Sequence, residues 1–240
     1  MDEINANIPE NFTDLPVHKH YNLTHYHQRF HWDCGLSCIL MILSSASRKK
    51  FLTNFDEICK EEGFGHSTWT IDLCYILQKF NVEHLYLTKT IGVDPTYSQH
   101  SYYTKIIDKD EERITQKFKD AQSHGVAVEQ RTVPFMEIIR HLAQRGPVII
   151  LTNASLLRCD VCKKDSFERM GCSFLNQIGK PRHYAGHYVV LCGFDRTKKK
   201  VFYMNPEVTD GHVCISSMDS MDKARTAFGT DEDIILIYNR

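Results

Sequence analysis

Apolar residues recur along the chain at two spacings, one typical of helices and one of strands. After Cys34 the i, i+3, i+4, i+7 spacing predicts a helix facing a core, ended by the polar run 44–50; its apolar positions are Leu36, Ile39, Leu40 and Leu43. Similar patterns predict helices at 54–61, 71–80, 109–122 and 134–145. Alternating or β-branched runs predict strands at 83–88, 126–132, 147–152, 187–194, 200–205 and 233–238.

The order of these elements predicts the fold class. Helices cluster in the first half of the chain and strands in the second, which favours an α+β fold with an N-terminal helical layer on a mostly antiparallel sheet. Residues 1–26 are expected to be a polar lead-in, and residues 27–240 a single domain. Within it, residues 153–184 show little periodicity and are predicted to form a long loop that contains cysteines.

Composition narrows the classes of function. The chain has 240 residues with 29 basic and 30 acidic side chains, so no global field favours a nucleic acid or a membrane as partner. The N-terminus is acidic and polar, unlike a secretory signal, and no stretch is long and apolar enough to span a bilayer. We therefore expect a cytoplasmic protein, with the nucleus as a second compartment. There its nine cysteines should be buried residues, metal ligands or reactive thiols rather than disulfides.

Cys34 is the first candidate for chemistry. It is predicted in the first turn of a helix, where the positive end of the helix dipole favours a thiolate. Asp33 could cap this helix, and Gln28, six residues before the cysteine, could donate its amide to a developing oxyanion. Gly35 could let a substrate backbone approach, and Trp32 could line the edge of a cleft. The alternative is that Cys34 and Cys38 are both core residues on one helix face.

The second half of the chain supplies candidate partners for this thiol. "GHYVVLCGFD" places His187 at the start of an apolar strand, directly after Gly186, and "KKKVFYMNPE" places Asn205 at the end of the next one. A hairpin turn at RTKKK would pair the two strands and bring Asn205 back beside His187. A cysteine, a histidine base and an asparagine that orients the histidine form a known nucleophilic arrangement.

These residues resemble two groups of known proteins. The order Gln28, Cys34, His187, Asn205 is similar to that of papain-like cysteine peptidases. The segments "HWDCGLSCILMIL", "GHYVVLCGFD", "FYMNPE" and "ARTAFGTDEDIILIY" resemble the guanylyl cyclase domain-containing family, with animal and plant members, over nearly the whole chain. This resemblance implies a papain-like fold of the bacteriocin-processing type, in which Asn205-Pro206 stands where an Asp-Pro pair is frequent.

The family's name and the residues point to different reactions. The name implies cyclisation of GTP, yet the sequence has no Gly-rich phosphate loop, and the acidic run 108–112 is expected to be a solvated helix face. Three hypotheses stay open: a thiol hydrolase with a peptide or protein substrate, a guanylyl cyclase, and a non-catalytic papain-like binding module. Thiol chemistry requires no cofactor. Whether a regulatory protein binds the chain is left open.

A second cysteine group lies in the predicted long loop. Cys159 and Cys162 form a CxxC motif, followed by Cys172 and His183, which together have the ligand types of a Cys₃His structural zinc site. A metal would order the loop. The alternative is a set of reduced cysteines at the surface.

Overall fold

The structure is a computed structural model that describes residues 14–63, 67–93, 101–162 and 184–238, with the backbone alone for residues 101–109. Its helices are α1 (Cys34–Ile42), α2 (Ser45–Thr53), α3 (Phe55–Glu62), α4 (Thr70–Lys79), α5 (Ser101–Asp120), α6 (Phe135–Gln144) and α7 (Met218–Arg225). Its strands are β1 (His18–His20), β2 (His84–Thr88), β3 (Val128–Gln130), β4 (Val148–Asn153), β5 (Gly186–Asp195), β6 (Lys200–Met204), β7 (Cys214–Ser217) and β8 (Ile234–Ile237).

All eight strands belong to one mixed but mostly antiparallel sheet. Its order is β3-β2-β8-β4-β5-β6-β7, with β1 paired to β5 outside this path. The β2–β3 pair is parallel, and the other pairs are antiparallel. The α+β class and the antiparallel character of the sheet, both predicted from the sequence, are confirmed.

Helices cover both faces of this sheet, whereas the sequence predicted one N-terminal helical layer. In β4, Ile149 packs into a core that contains the apolar residues of α1 and α4. Its neighbours Val148 and Ile150 pack into a second core with residues of α6 and α7. Because both faces of the central strands are buried, β4 and β5 are apolar almost without interruption, a pattern that gives no sign of which face each helix covers.

Strand β1 lies inside the segment that was expected to be a polar lead-in. His18, Lys19 and His20 pair antiparallel with Asp195, Phe194 and Gly193 of β5. A Cβ atom at Gly193 would lie only 2.3 Å from the carbonyl oxygen of Lys19, so this close approach of two backbones requires glycine. The strand was not predicted, because backbone hydrogen bonds rather than alternating apolar side chains hold it at the sheet.

Helix α2 begins within the polar run that was predicted to end α1. Ser44 caps it by accepting a hydrogen bond of 3.2 Å from the backbone N–H of Ser47. Phe51 is its buried residue. A helix with so narrow an apolar face leaves little periodicity in the sequence.

The predicted long loop is described only at its two ends. Residues 154–162 follow β4, and residues 184–185 precede β5. Two predicted zinc ligands, Cys172 and His183, lie outside the described residues. No helix in the described part of the chain is long and apolar enough to cross a membrane.

Candidate functional site

Cys34 is the first residue of α1, as predicted, and is 5% exposed. Helix α1 packs against β5 and α4, so the thiol lies where the helix meets the start of β5. The first backbone hydrogen bond of the helix runs from Ser37 N–H to Asp33 O (2.9 Å). The N–H groups of the first turn are therefore directed at the region in front of Cys34.

Asp33 does not cap the helix with its side chain, in contrast to the sequence prediction. Its carboxylate instead accepts backbone hydrogen bonds from Arg29 (3.1 Å) and Phe30 (3.0 Å). Because Asp33 turns back toward the preceding residues, it fixes the loop 29–33 that leads into Cys34.

His187 and Asn205 are brought together by the β5–β6 hairpin, as the sequence predicted. The register pairs Asp195 with Lys200 and Val190 with Met204, and so returns the end of β6 to the beginning of β5. His187 Nε2 lies 2.8 Å from Asn205 Oδ1. Since an amide oxygen only accepts hydrogen bonds, the ring donates through Nε2 and leaves Nδ1 for another partner.

Cys34 is the neighbouring group that favours the protonated ring most strongly. Burial lowers the pKa of His187, but the hydrogen bond and charge of Cys34, then the hydrogen bond to Asn205 and the charge of Glu207, outweigh burial and raise it to about 9. The imidazole is thus held as imidazolium well above neutral pH when it faces a thiolate. As predicted, the structure places the cysteine, the histidine and the asparagine in one connected group.

The loop 205–213, between β6 and β7, is tied to the segment that precedes Cys34. His25 Nε2 donates to the Asn205 carbonyl (2.9 Å), and the Gln28 N–H donates to the Pro206 carbonyl (2.9 Å). The Asn205 amide oxygen also accepts from the Glu207 N–H (3.0 Å). Sequence reasoning missed the roles of His25 and Glu207, and with thirteen histidines in the chain it had no signal that selected His25.

Gln28 lies beside the site through its backbone, but its side chain is otherwise engaged. Its amide nitrogen donates to the carbonyl of Phe30 (3.0 Å). Among the described residues, its buried Oε1 has no hydrogen-bond partner. A role as oxyanion donor therefore requires the side-chain amide to leave Phe30, and that role remains a prediction.

The three predicted substrate-binding residues have different surroundings. Trp32 is half-buried and stacks on the exposed ring of Phe30 at a centroid distance of 5.8 Å. Gly186 is exposed directly before His187. Gly35 is buried, and a Cβ there would lie 2.9 Å from Leu73 Cδ1 and 3.1 Å from Tyr188 Cδ2. The missing side chain of Gly35 makes room for Leu73 and Tyr188, and its role in substrate binding remains a prediction.

A buried hydrogen-bond network lies beneath this group and was not predicted. The Tyr188 hydroxyl is 2.8 Å from Thr70 Oγ1, which also donates to Asp233, and the Tyr86 hydroxyl donates to Asp233 (2.9 Å). Burial, followed by the charge of Asp231, raises the pKa of Asp233 to about 7. An ionisable carboxyl thus lies under the strand that carries His187.

Comparisons with known proteins identify the family. Residues 23–237 match a family model described as guanylylate cyclase. The chain belongs to this guanylyl cyclase family. "Guanylyl cyclase 1" of Arabidopsis thaliana is 36% identical over 224 residues, covering 93% of this chain and 78% of that protein. The family expected from the sequence motifs is confirmed. Both names support the cyclase hypothesis, and neither supports a peptidase.

Two acidic residues of this guanylyl cyclase family member, Asp110 and Asp72, are engaged with basic partners. Asp110 accepts from Trp69 Nε1 (3.0 Å) and Ser67 Oγ (2.6 Å), and pairs with Arg113. Asp72 is fully buried and pairs with Arg113 and Lys117. The expectation of a solvated acidic face is wrong for Asp110, which joins α4 to α5.

The second cysteine group differs from the predicted one. Cys159 and Cys162 lie near His212 and Cys214, and the four ligand atoms are all within 4.8 Å of one another. The sequence identified the CxxC motif but missed His212 and Cys214, which stand fifty residues later in the chain. Their HxC spacing at the start of β7 was the available signal.

Proposed function

We propose that this protein is a papain-like thiol hydrolase that cleaves an amide bond, with a peptide or protein as substrate. Cys34 is the nucleophile, His187 the general base and acid, and Asn205 the group that orients His187. The observation that carries the proposal is the group itself: a thiol at a helix N-terminus, which raises the pKa of an imidazole whose Nε2 lies 2.8 Å from Asn205 Oδ1.

The chemistry follows from the protonation state of the pair. The Cys34 thiolate attacks the carbonyl carbon, a C–S bond forms, and the carbonyl electron pair moves to oxygen. As the C–N bond breaks, the His187 imidazolium gives its proton to the leaving amine. Water, deprotonated by the neutral imidazole, then cleaves the thioester to an acid and regenerates the thiol. No oxidant or cofactor is consumed.

The developing oxyanion requires hydrogen-bond donors near Cys34. The backbone N–H of Cys34 belongs to the first turn of α1, whose N–H groups have no acceptor within the helix. Gln28 supplies a second donor if its amide exchanges Phe30 for the oxyanion. The papain-like fold is part of this proposal, supported by a helix carrying cysteine packed against a hairpin carrying histidine and asparagine.

Guanylyl cyclase activity is the second candidate, and the comparisons favour it. The family model and the Arabidopsis relative both carry that name. A cyclase joins the 3′-oxygen of GTP to its α-phosphorus and releases pyrophosphate, a reaction that needs no thiol nucleophile. Whether the activity depends on Cys34 therefore separates the hydrolase from the cyclase.

A labelling experiment with matched cysteine variants tests the hydrolase. An electrophilic acyl probe with a peptide recognition element is incubated with wild type, Cys34→Ala and Cys38→Ala, and the modified residue is identified by mass spectrometry. Cys38 is the control because it lies one turn further along α1, fully buried, and burial followed by the charge of Cys34 raises its pKa well above the usual value. We expect labelling of wild type and Cys38→Ala at residue 34, and none of Cys34→Ala.

The same three proteins are incubated with GTP and either Mg²⁺ or Mn²⁺, and cyclic GMP is measured by mass spectrometry. Cyclic GMP formed equally by wild type and Cys34→Ala, with no labelling of Cys34, would replace the hydrolase with the cyclase. A folded protein that shows neither reaction would replace both with a binding module.

A further inference from the structure

Three cysteines and one histidine converge at the end of the sheet away from β3. Cys159 and Cys162 follow β4, whereas His212 and Cys214 end the loop 205–213 and begin β7. Cys162 Sγ lies 3.3 Å from His212 Nε2 and 3.7 Å from Cys214 Sγ. Cys214 Sγ lies 3.7 Å from the same ring nitrogen. Four soft or borderline ligand atoms therefore share one small volume.

These separations match the edges of a zinc tetrahedron. Zinc binds sulfur at about 2.3 Å and imidazole nitrogen at about 2.0–2.1 Å, so a tetrahedral site requires about 3.8 Å between sulfurs and about 3.5 Å between sulfur and nitrogen. Among Cys162, His212 and Cys214 the sulfur–sulfur distance is 3.7 Å and the sulfur–nitrogen distances are 3.3 and 3.7 Å, which are three of the six edges. The three edges to Cys159 Sγ are within 4.8 Å. A hydrogen bond with a shared proton or a disulfide joins only two of these atoms. Neither explains why four ligand atoms lie together.

The surrounding groups are arranged as those of a metal site. The backbone N–H groups of Val161 and Cys162 lie 3.4 and 3.3 Å from Cys159 Sγ, where they stabilise a thiolate. Asp210 Oδ1 lies 2.5 Å from His212 Nδ1, so the carboxylate accepts from Nδ1–H and leaves Nε2 with a free lone pair directed at the sulfurs. A carboxylate that orients a histidine in this way is a regular partner of zinc-bound imidazole.

The two segments are also held together without the four ligands. The Asp160 N–H donates to the Ile215 carbonyl (2.8 Å), Tyr203 Oη donates to the Arg158 carbonyl (3.0 Å), and Lys200 pairs with Asp160 (2.7 Å). The chain thus presents the ligands from a framework fixed by backbone and side-chain contacts. A preformed site of this kind loses little conformational freedom when it binds a metal.

We propose that Cys159, Cys162, His212 and Cys214 bind one structural Zn²⁺. Four protein ligands leave no open position for a substrate, which is typical of a structural site. The ion joins the segment after β4 to the loop 205–213. It thereby stabilises the part of the sheet in which His187 lies. This proposal is independent of the reaction at Cys34.

Metal analysis of the full-length protein tests the proposal. Wild type, His212→Ala and Cys162→Ser are purified under reducing conditions, equilibrated with excess zinc, and freed of unbound metal before mass-spectrometric quantification. We expect about one zinc per chain in wild type and a loss of zinc in both variants. Cys59→Ser is the matched control, since Cys59 is a half-buried cysteine on α3 outside the group, and it should keep its zinc.

Further variants keep the test decisive if a variant fails to fold. His212→Cys preserves four zinc-binding side chains and should retain the metal that His212→Ala loses. Cys172→Ser and His183→Ala remove the ligands predicted from the sequence, and both should retain zinc. Folded wild type without zinc, zinc retained by His212→Ala, iron in place of zinc, or a Cys162–Cys214 disulfide under reducing conditions would overturn the proposal.

Discussion

Two cysteine–histidine groups lie at opposite ends of one loop, residues 205–213, and they suit opposite purposes. At its beginning, Asn205 orients His187 toward the single thiol of Cys34. At its end, Asp210 orients His212 toward three sulfur atoms. One thiol beside one imidazole suits a nucleophile with its proton carrier, whereas three thiols around one imidazole suit a metal-ligand set.

The partner of each imidazole sharpens this difference. Asn205 offers a neutral amide oxygen that fixes the ring and still lets it gain and lose a proton. Asp210 offers a carboxylate, which increases the basicity of the ring as a ligand. Residue types alone therefore do not separate a catalytic cysteine from a structural one. The number of sulfur atoms around the imidazole does.

Replacing each of the two histidines, His187 and His212, by glutamine should have the largest effect. His187→Gln should lower the rate of alkylation of Cys34 at neutral pH by about 100-fold, because the thiol loses its proton acceptor and the thiolate its counter-ion. The zinc content should be unchanged. His212→Gln should remove the zinc and leave Cys34 alkylation within about twofold of wild type. Iodoacetamide rates at residue 34, followed by mass spectrometry, and metal analysis of the same samples measure both effects. Variants that each lose both properties would show that the two groups are one functional unit.

Changing the orienting partners should have the next largest effect. Asn205→Ala should slow modification of Cys34, and Asp210→Ala should weaken zinc binding, each by about 10- to 100-fold, because the imidazole keeps its position but loses its fixed orientation. Competition with a zinc chelator measures the second effect, and alkylation rates measure the first. Asn205→Asp is the control that keeps an acceptor oxygen and should retain more of the rate than Asn205→Ala.

The buried carboxyl beneath the Cys34 group offers a third distinction. The described residues around the proposed zinc ligands include no buried acid of this kind. The pKa of Asp233 is raised to about 7, from about 3.9 in an unfolded chain, so the folded state holds the proton more tightly. Its stabilising contribution is complete below about pH 4 and is lost as the pH rises through 7.

Relative to Asp233→Asn, wild type should therefore lose about 4 kcal/mol of unfolding free energy between pH 4 and pH 8, measured by urea denaturation. Asp231→Asn removes the neighbouring charge and should reduce this pH dependence. If the unfolding free energies of wild type and Asp233→Asn changed with pH in the same way, the carboxyl would not titrate in this range.

The smallest effect is expected at Gly35, next to the nucleophile. Gly35→Ala should destabilise the fold by about 1 kcal/mol, since the new methyl group meets Leu73 and Tyr188 while alanine favours the helix. Cys34 should keep its alkylation rate. A variant of unchanged stability that no longer accepts a peptide probe would restore the substrate-binding role predicted from the sequence.

The sequence was sufficient for features that depend on local pattern and short-range pairing. The helix at Cys34, the β5–β6 hairpin and the approach of Asn205 to His187 follow from periodicity, one turn and strand register. The CxxC motif was found for the same reason, because its ligands are three residues apart.

Features that depend on long-range placement could not be predicted. His212 and Cys214 join Cys159 only through the sheet order, and Thr70, Tyr188 and Asp233 meet through three separate elements. Strand β1 is held by backbone bonds that leave no alternating pattern. The packing of Gly35 against Leu73 and Tyr188 was not predicted, because a glycine required by helix packing and one required by a substrate look identical in a sequence.

The pKa of His187, measured by NMR in wild type and in Cys34→Ala, tests the thiol–imidazole pair most directly. The resonance is assigned by its absence from His187→Gln. In wild type the ring should titrate near pH 9. In Cys34→Ala burial remains while the hydrogen bond and charge of the thiolate are gone, so the pKa should fall by at least about two units. The same His187 pKa in both proteins would contradict a thiolate–imidazolium pair at this site.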